Sequence, residues 1–210
     1  SKTKPHGNPF RDSLRILKGN RAARKWLAIG ALSKLPFGLI LPFTQVFARE
    51  VKGADSYILG AMVTATALTS IVFGLPSGIL ADRIGRKKVL YLLIPLFWAA
   101  NLILVWAPSP VFLILSGVLL GFYYIMSPIS GAIEMELVPA EQMGRWLGMS
   151  HLVKSLFGAA MALLGGLIWD RLGPQYVFFI FIGIDLVFRV PLLISMPETL
   201  ARPGAAKTEG

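Results

Sequence analysis

Four charged residues lie within long runs of apolar sequence, and they are the residues of this chain best suited to chemistry. They are Lys34, Lys154, Asp185 and Arg189. A charge inside hydrocarbon is costly, so such residues either pair with one another or line a path for a solute or a proton. Asp185 and Arg189 are spaced i, i+4, which places them on one face of a helix. The depths of Lys154 and Asp185, roughly 12 Å and 16 Å from the inner ends of their helices, would also allow these two to pair.

Other arrangements that carry catalysis are missing from the sequence. His151 stands without a second His, and the chain contains no Cys, so neither a metal cluster nor a thiolate nucleophile is expected. No G-x-x-x-x-G-K phosphate-binding motif occurs. We therefore expect a protein that is not an enzyme and that needs no cofactor or metal. For His151, a proton relay and an interhelical hydrogen bond are both open.

The composition indicates a membrane protein. Of the 210 residues, 55% are hydrophobic, and the mean hydropathy is +0.65. The net charge of +10 lies in tails and turns rather than on one face, so we do not expect nucleic acid as a partner. The sequence predicts an all-α membrane fold with six transmembrane helices, near 27–48, 57–81, 89–106, 110–133, 146–169 and 175–196.

The distribution of Lys and Arg predicts the orientation. If the amino terminus is cytoplasmic, the outer loops contain only Arg49, Lys52 and Arg171, and most other basic residues face inward. Both termini are then cytoplasmic. The predicted domains are a cytoplasmic linker at 1–26, a six-helix transmembrane bundle at 27–196 and a cytoplasmic tail at 197–210. Within the linker we expect a basic amphipathic helix on the membrane surface, and a calmodulin-type or nucleic-acid target helix is the alternative.

A short internal echo predicts a repeat. Asp82-Arg-Ile-Gly85 follows the second predicted helix, and Asp170-Arg-Leu-Gly173 follows the fifth. Because each unit of three helices crosses the membrane an odd number of times, the two copies would be inverted relative to each other. Coincidence is the alternative, since the match is only four residues long. Pairs of Gly spaced by four further predict close helix packing, at Gly74 and Gly78, Gly117 and Gly121, and Gly144 and Gly148.

The most informative stretch is the charged turn at Gly78–Leu90, between two apolar runs. Asp82 can accept backbone N–H bonds at a helix start, and Gly85 permits the chain to reverse. Basic side chains hold such a turn on the cytoplasmic side, here Arg83, Arg86, Lys87 and Lys88.

This stretch matches the pattern G-x-L-A-D-R-x-G-R-K-x-x-L and thereby resembles the major facilitator superfamily of transporters. The resemblance implies a six-helix half of that fold, built from two inverted three-helix repeats. The basic lead-in and the closing Met196-Pro-Glu-Thr199 are similar to the start and end of the carboxy-terminal half. We therefore expect a piece of a longer transporter, located in the plasma or inner membrane, whose partners are the other half, the bilayer and a small-molecule substrate.

The resemblance also implies roles for individual residues. Glu136 would pair with Arg86 and, together with Gly78, Asp82, Arg83, Gly85 and Lys87, form a latch that holds one access state. The alternative is that Glu136 merely ends its helix in water. On the helices that line the cavity in this family, Lys34 would favour anionic or zwitterionic cargo, unless it extends to the inner surface instead. Further cavity candidates are Gln45, Tyr123, Tyr124 and Ser127, whereas Asp185 and Arg189 would have a structural role.

The function expected on this basis is secondary transport of a small solute by alternating access. Asp185 is the one deep acid that could couple transport to protons, and efflux of a drug or metabolite is favoured over uptake. The alternative is a self-standing six-helix membrane protein that homodimerises into a pore or scaffold.

Overall fold

The computed structural model describes residues 21–136 and 143–195. In these residues the chain forms helices joined by short turns, with no strand. The helices are α1 Arg21–Leu32, α2 Leu35–Leu39, α3 Leu41–Glu50, α4 Ser56–Ile84, α5 Arg86–Trp106, α6 Pro110–Glu136, α7 Met143–Arg171, α8 Pro174–Ile184 and α9 Val190–Ile194, with a π-helical turn at Asp185–Arg189 between α8 and α9. The amphipathic helix predicted before residue 21, the tail after residue 196 and Met196-Pro-Glu-Thr199 lie outside the described residues.

Six stretches of the described chain are long and apolar enough to cross a membrane. The first combines α1, α2 and α3, the sixth combines α8, the π-helical turn and α9, and the others are single helices. The spans are Leu27–Glu50, Ser56–Ile84, Arg86–Trp106, Pro110–Ala132, Trp146–Arg171 and Pro174–Ile194. The prediction of an all-α fold with six transmembrane helices is confirmed, with the ends of each span within a few residues of the predicted ones.

The spans pack in an exchanged pattern. The fourth span, α6, packs most extensively against α4 and α5, the second and third spans. The first span instead packs against α7 and α8, from the second half of the chain. Each three-helix unit thus gives its first helix to the other unit. This exchange, together with the odd number of spans per unit, is the arrangement of an inverted repeat.

The two sequence echoes have the same backbone conformation. Gly85 joins the second span to the third with φ 110° and ψ 133°, and Gly173 joins the fifth to the sixth with φ 119° and ψ 156°. Side chains with a Cβ rarely adopt such positive φ values, which explains why glycine ends both echoes. The repeated four-residue motif therefore corresponds to two equivalent helix junctions.

Glycine allows the closest helix crossings. A Cβ added to Gly117 would lie 2.6 Å from the carbonyl oxygen of Met62, and one added to Gly121 would lie 2.5 Å from Cβ of Thr69. Thr66 Oγ1 donates a hydrogen bond of 2.8 Å to the Gly117 carbonyl across this crossing. The equivalent crossing of the first and fifth spans brings Gly38 against the backbone of Gly158. The structure thus contains the predicted close packing at Gly117 and Gly121.

The other two glycine pairs do not pack in this way. Among the described residues, nothing lies within 4 Å of a Cβ added to Gly74, Gly78, Gly144 or Gly148. Close packing at these two pairs, and of the helix end at Gly78, is not seen within the described bundle and stays a prediction. Gly74 and Gly78 open onto a crevice between α4 and α6, and Gly144 and Gly148 are exposed, so no neighbouring helix of the described chain covers either pair.

Aromatic residues fill the space where the third and sixth spans meet the first. Phe97 and Phe181 contact each other edge to face with ring centroids 5.4 Å apart, and Phe47 and Phe178 do so at 5.1 Å. All four side chains are fully buried. Such pairs contribute about 0.5–1.5 kcal/mol beyond the area they bury. The third and sixth spans therefore serve as a rigid support behind the first and fourth.

We predict that Gly121→Ala lowers the stability of the bundle, because the new methyl group would meet Thr69 and the carbonyl of Thr66. Overpacking of this kind costs about 1–3 kcal/mol. Thermal unfolding of the purified protein, followed by tryptophan fluorescence, measures the effect. Gly60→Ala is the matched control, since nothing described lies within 4 Å of its Cβ position. Equal unfolding midpoints for the two variants would show that the crossing at Gly121 tolerates a side chain.

Candidate functional site

A polar cavity lies between the first, fourth, fifth and sixth spans. Its volume is about 160 Å³. Of the predicted site residues, the structure places Lys34, Tyr123, Ser127, Lys154 and Arg189 in its lining. The remaining lining residues are Ile29, Gly30, Ser33, Met126, Ser130 and Gly131. Charged and hydroxyl groups from four separate spans therefore meet at one place inside an otherwise apolar bundle.

Lys34 lies at a break in the first span. It is the second of the two residues between α1 and α2, and the helix does not continue smoothly because Pro36 follows within the first turn of α2. Ser33 Oγ donates a hydrogen bond of 2.8 Å to the Ile29 carbonyl, which also accepts the backbone N–H of Ser33. The ammonium group of Lys34 lies 5.9 Å from the centre of the Phe37 ring. In transporters, broken helices of this kind are the usual places for substrate sites.

Arg189 reaches the cavity from the sixth span and is held by Asp185. Its Nη1 donates a hydrogen bond of 2.9 Å to Oδ1 of Asp185, and the two side chains are 5% and 0% exposed. Trp98 Nε1 donates to the second carboxylate oxygen at 2.8 Å. Both oxygens of Asp185 are thus bonded, which is what a buried carboxylate requires. The predicted face shared by Asp185 and Arg189 is present as an ion pair.

The ion pair lies within a π-helical turn. Residues Asp185–Arg189 form one wider turn in a span that is otherwise α-helical. Single π-helical turns inside α-helices occur often at functional sites. The turn is continuous with α8 and α9, and the hydrogen bonds from Arg189 and Trp98 hold the carboxylate in place. The guanidinium is therefore presented to the cavity in a defined position.

Lys154 does not contribute to this pair. Its side chain lies across Gly30 of the first span, where an added Cβ would be 2.5 Å from Cε and 3.1 Å from Nζ of Lys154. The predicted partner Asp185 is bonded to Arg189 and Trp98 instead. Glycine at position 30 thus leaves room for the lysine chain to reach the cavity between the first and fifth spans.

Two of the predicted cavity residues lie elsewhere. Gln45 is half-buried on α3 and is not among the lining residues of this cavity. Tyr124 is exposed and lines a second crevice, between α4 and α6. Its neighbour Tyr123 faces the cavity and stacks on Phe97 at 4.9 Å. Adjacent residues on a helix point about 100° apart, and in α6 this difference turns Tyr124 toward the crevice beside α4 while Tyr123 faces the cavity.

The second crevice contains part of the charged turn. It has a volume of about 390 Å³, and Gly74, Gly78, Asp82 and Arg86 line it beside Tyr124. Asp82 and Arg86 lie 3.6 Å apart, with the carboxylate 68% exposed and the guanidinium 18% exposed. An exposed pair like this contributes about 0–1 kcal/mol by itself.

The other residues of the predicted latch are arranged around this pair. Lys87 Nζ donates to the Ile194 carbonyl at 3.0 Å, which ties the turn to the end of the sixth span. Gly85 forms the junction, and Arg83 is exposed. Glu136 ends α6, but its side chain and that of Glu134 lie outside the described residues. The predicted pairing of Glu136 with Arg86 stays a prediction.

Sequence reasoning did not single out several residues that matter here. Trp98 Nε1 donates a hydrogen bond to Asp185, and Nη2 of Arg189 lies 3.9 Å from the thioether sulfur of Met126. The sequence did offer a clue to the Trp98 contact. An indole N–H inside a membrane bundle requires an acceptor, and Asp185 is the deep carboxylate that the sequence provides. His151 has a different partner from the expected one, since its Nδ1 lies 3.4 Å from Ser155 Oγ on the same helix. Within the described residues, no cluster of three or more His, Cys, Asp or Glu side chains could hold a metal ion.

Comparison with known proteins indicates the same family that the sequence of the charged turn resembles. The sequence profile of the Major Facilitator Superfamily matches residues 26–209. The inner membrane transport protein YajR of Escherichia coli strain K12 is 28% identical over 170 residues, which are 78% of this chain and 36% of that protein. The lactose permease of Klebsiella oxytoca is 27% identical over 165 residues, with shares of 75% and 39%. The class B tetracycline resistance protein of Escherichia coli is 24% identical over 182 residues, with shares of 86% and 45%. The chain spans less than half the length of each of these relatives.

We predict that Asp185→Leu destabilises the bundle more than Asp185→Leu combined with Arg189→Met. The single change leaves a guanidinium buried without its carboxylate, and breaking a buried pair in this way costs about 3–5 kcal/mol. The double change removes both charges and keeps apolar volume. Thermal unfolding in detergent measures both variants. If the double variant is no more stable than the single one, Arg189 does not depend on Asp185 for its burial.

Proposed function

Since this chain belongs to the major facilitator superfamily, we propose that it forms one six-helix half of a secondary transporter that moves a small solute by alternating access. The observation that carries this proposal is the polar cavity at the break in the first span, because its lining combines groups from four spans. Such a cavity at a discontinuous helix between inverted repeats is the usual form of a substrate site in secondary transporters. From the sequence features at both ends, we propose that the chain is the carboxy-terminal half.

The partner that we propose is the other six-helix half. Only 11% of the most apolar stretch of the second span is buried, and the same holds for the fifth span, against 33–50% for the other four. These two spans also have the outward-facing glycine pairs, at Gly74 and Gly78 and at Gly144 and Gly148. Small residues on the face of a transmembrane helix allow another helix to approach closely. The other half would then cover these faces and complete the cavity wall.

Within this proposal, the charged turn acts as a latch on the cytoplasmic side. Asp82 and Arg86 form the ion pair, Lys87 ties the turn to the sixth span, and Glu136 would join the network. A small network of charges at the membrane edge is sufficient to bias two access states that differ by a few kcal/mol. The amino and carboxyl termini would lie on the same side, in agreement with the distribution of basic residues.

Efflux coupled to protons is the specific form of transport that we propose to test first. Proton coupling usually draws on an acid within a membrane span, and Asp185 is the deep acid of the described spans, although its ion pair with Arg189 would have to open for it to take up a proton. Relatives of this chain include a lactose permease and a tetracycline resistance protein, so the names alone do not decide the direction of transport. The second candidate is a homodimeric pore or scaffold, which the outward-facing glycine pairs would also suit.

Co-expression separates these two candidates. The chain would be expressed alone, and together with the six-helix segment encoded beside it or the amino-terminal half of a full-length relative. We expect flux of at least one solute from a broad panel into proteoliposomes only when both halves are present, and a change in that flux when a pH gradient is applied. Solute flux by the chain alone, purified as a homodimer, would contradict the half-transporter and support the pore.

We also predict that Asp82→Asn reduces transport without preventing folding. The change removes the charge that faces Arg86, so the access state held by the latch loses its ion pair and the distribution between states shifts. Transport at equal expression measures the effect, with thermal unfolding as the check on folding. Asp55→Asn is the matched control, because Asp55 caps the opposite end of the same helix and Asn caps equally well. Equal transport by the two variants would rule out a latch at Asp82.

A further inference from the structure

The lining of the cavity is positively charged. Lys34 and Arg189 reach it from the first and sixth spans, and Lys154, which has a partner of its own, reaches it from the fifth; none of the described lining residues is an Asp or a Glu. The nearest described carboxylate on these elements, Asp185, is fully buried and bonded on both oxygens by Arg189 and Trp98. A cation in a cavity with low-dielectric walls attracts negative charge more strongly than it would in water. The described walls therefore favour a solute with net negative charge.

Arg189 is prepared for an additional acceptor. Nη1 donates to Asp185, whereas Nη2 contacts the thioether sulfur of Met126 at 3.9 Å. A thioether is a weak acceptor, and a guanidinium has five N–H donors. The π-helical turn and the ion pair fix the guanidinium in place, so little side-chain freedom is lost when an anion binds to it. Arg189 thus combines charge, donor capacity and a fixed orientation at the cavity wall.

Lys34 supplies a second cation, which is held less tightly than Arg189. Its ammonium group has an aromatic face of Phe37 as its described neighbour, at 5.9 Å. Exposed cation–aromatic contacts of this kind are worth about 0.5–1 kcal/mol, less than a hydrogen bond to a charged group. An anion entering the cavity can therefore draw Lys34 away from Phe37 at small cost. Ser127 and Ser130 add hydroxyl groups from the fourth span on the facing wall.

We propose that this cavity binds the carboxylate or phosphate group of a small organic anion, with Lys34 and Arg189 as its two charged contacts. The proposal rests on the proposed transport function and names the chemical class of the transported solute. A volume of about 160 Å³ is close to that of an engineered cavity of about 150 Å³ that binds benzene, so there is room for one anionic group and a few further atoms. A zwitterion would place a cation against walls on which the described residues offer no carboxylate.

Ligand-dependent thermal stabilisation tests this site. The protein would be purified from its membrane together with any subunits it assembles with. Its thermal unfolding would then be measured at increasing concentrations of five small-molecule probes. Succinate and glycerol phosphate are the anions, glycerol is the neutral analogue, betaine is the zwitterion and choline is the cation. We expect the two anions to raise the unfolding midpoint in a saturable way, and glycerol, betaine and choline to have no such effect.

Substitutions at Lys34 assign the binding to the cavity. Lys34→Gln should weaken the apparent affinity for the anions by at least about tenfold, since a hydrogen bond to a charged group is lost. Lys34→Arg should retain most of that affinity. Lys88→Gln removes the same charge from an exposed position outside the cavity lining and should leave the affinity unchanged. The unfolding midpoints without ligand report whether each variant is folded.

Each other outcome overturns the proposal. Equal stabilisation by betaine would show that the site binds zwitterions rather than anions. Stabilisation by choline or glycerol, or by none of the probes, would show that the cavity is not an anion site. Anion binding that Lys34→Gln leaves unchanged would place that binding elsewhere. Flux in proteoliposomes distinguishes this failure from failure of the proposed function. Anion binding without flux would contradict transport alone, and flux of a neutral solute that ignores Lys34→Gln would contradict the anionic site alone.

Discussion

Hydrocarbon offers no hydrogen-bond partners, and this constraint governs every polar group in the bundle. Its clearest consequence is the Asp185–Arg189 ion pair, where each carboxylate oxygen receives a donor and the pair is nearly inaccessible. Removing one charge from such a site costs several kcal/mol, so the two residues are tied to each other. Arg189 within the π-helical turn and Trp98 on the third span each donate to one oxygen of this carboxylate. The ion pair also holds Arg189 at the wall of the cavity, where its guanidinium forms part of the lining.

The same constraint explains the packing of the helices. Apolar side chains gain little by contacting each other rather than lipid, so close approach through small residues becomes the main source of stability. The crossings at Gly117 and Gly121, and at Gly38 and Gly158, occupy equivalent places in the two inverted units. Each crossing joins a helix of one unit to a helix of the other. The exchange leaves α4 and α7 on the outside, with glycine faces that nothing in the described chain covers.

Polar groups are concentrated in two regions with different physical properties. The cavity at Lys34 and Arg189 is enclosed by four spans, so charges there act at low dielectric and bear on what binds. The crevice at Asp82 and Arg86 is open and its carboxylate is mostly exposed, so its ion pair is weak and reversible. A strong, permanent pair suits a site that must hold its shape. A weak pair suits a contact that forms in one conformation and breaks in another.

Much of this architecture was readable from the sequence. The apolar runs determined the number of spans, because only helices about 20 residues long can cross hydrocarbon with their backbone satisfied. The stretch from Gly78 to Leu90 identified the family, and the echo at Asp170–Gly173 indicated the repeat, since both junctions need a glycine at positive φ. The i, i+4 spacing of Asp185 and Arg189 was sufficient to predict that they share a face.

Only the tertiary structure decided which of these residues meet. Tyr123 rather than Tyr124 faces the cavity, Gln45 lies away from it, and Lys154 lies across Gly30 instead of pairing with Asp185. Likewise, the glycine pairs look alike in sequence, yet one forms a crossing and two face outward. The physical reason is that sequence spacing determines the face of a helix on which a residue lies, whereas the rotation and neighbours of that helix follow from the packing of all the spans together.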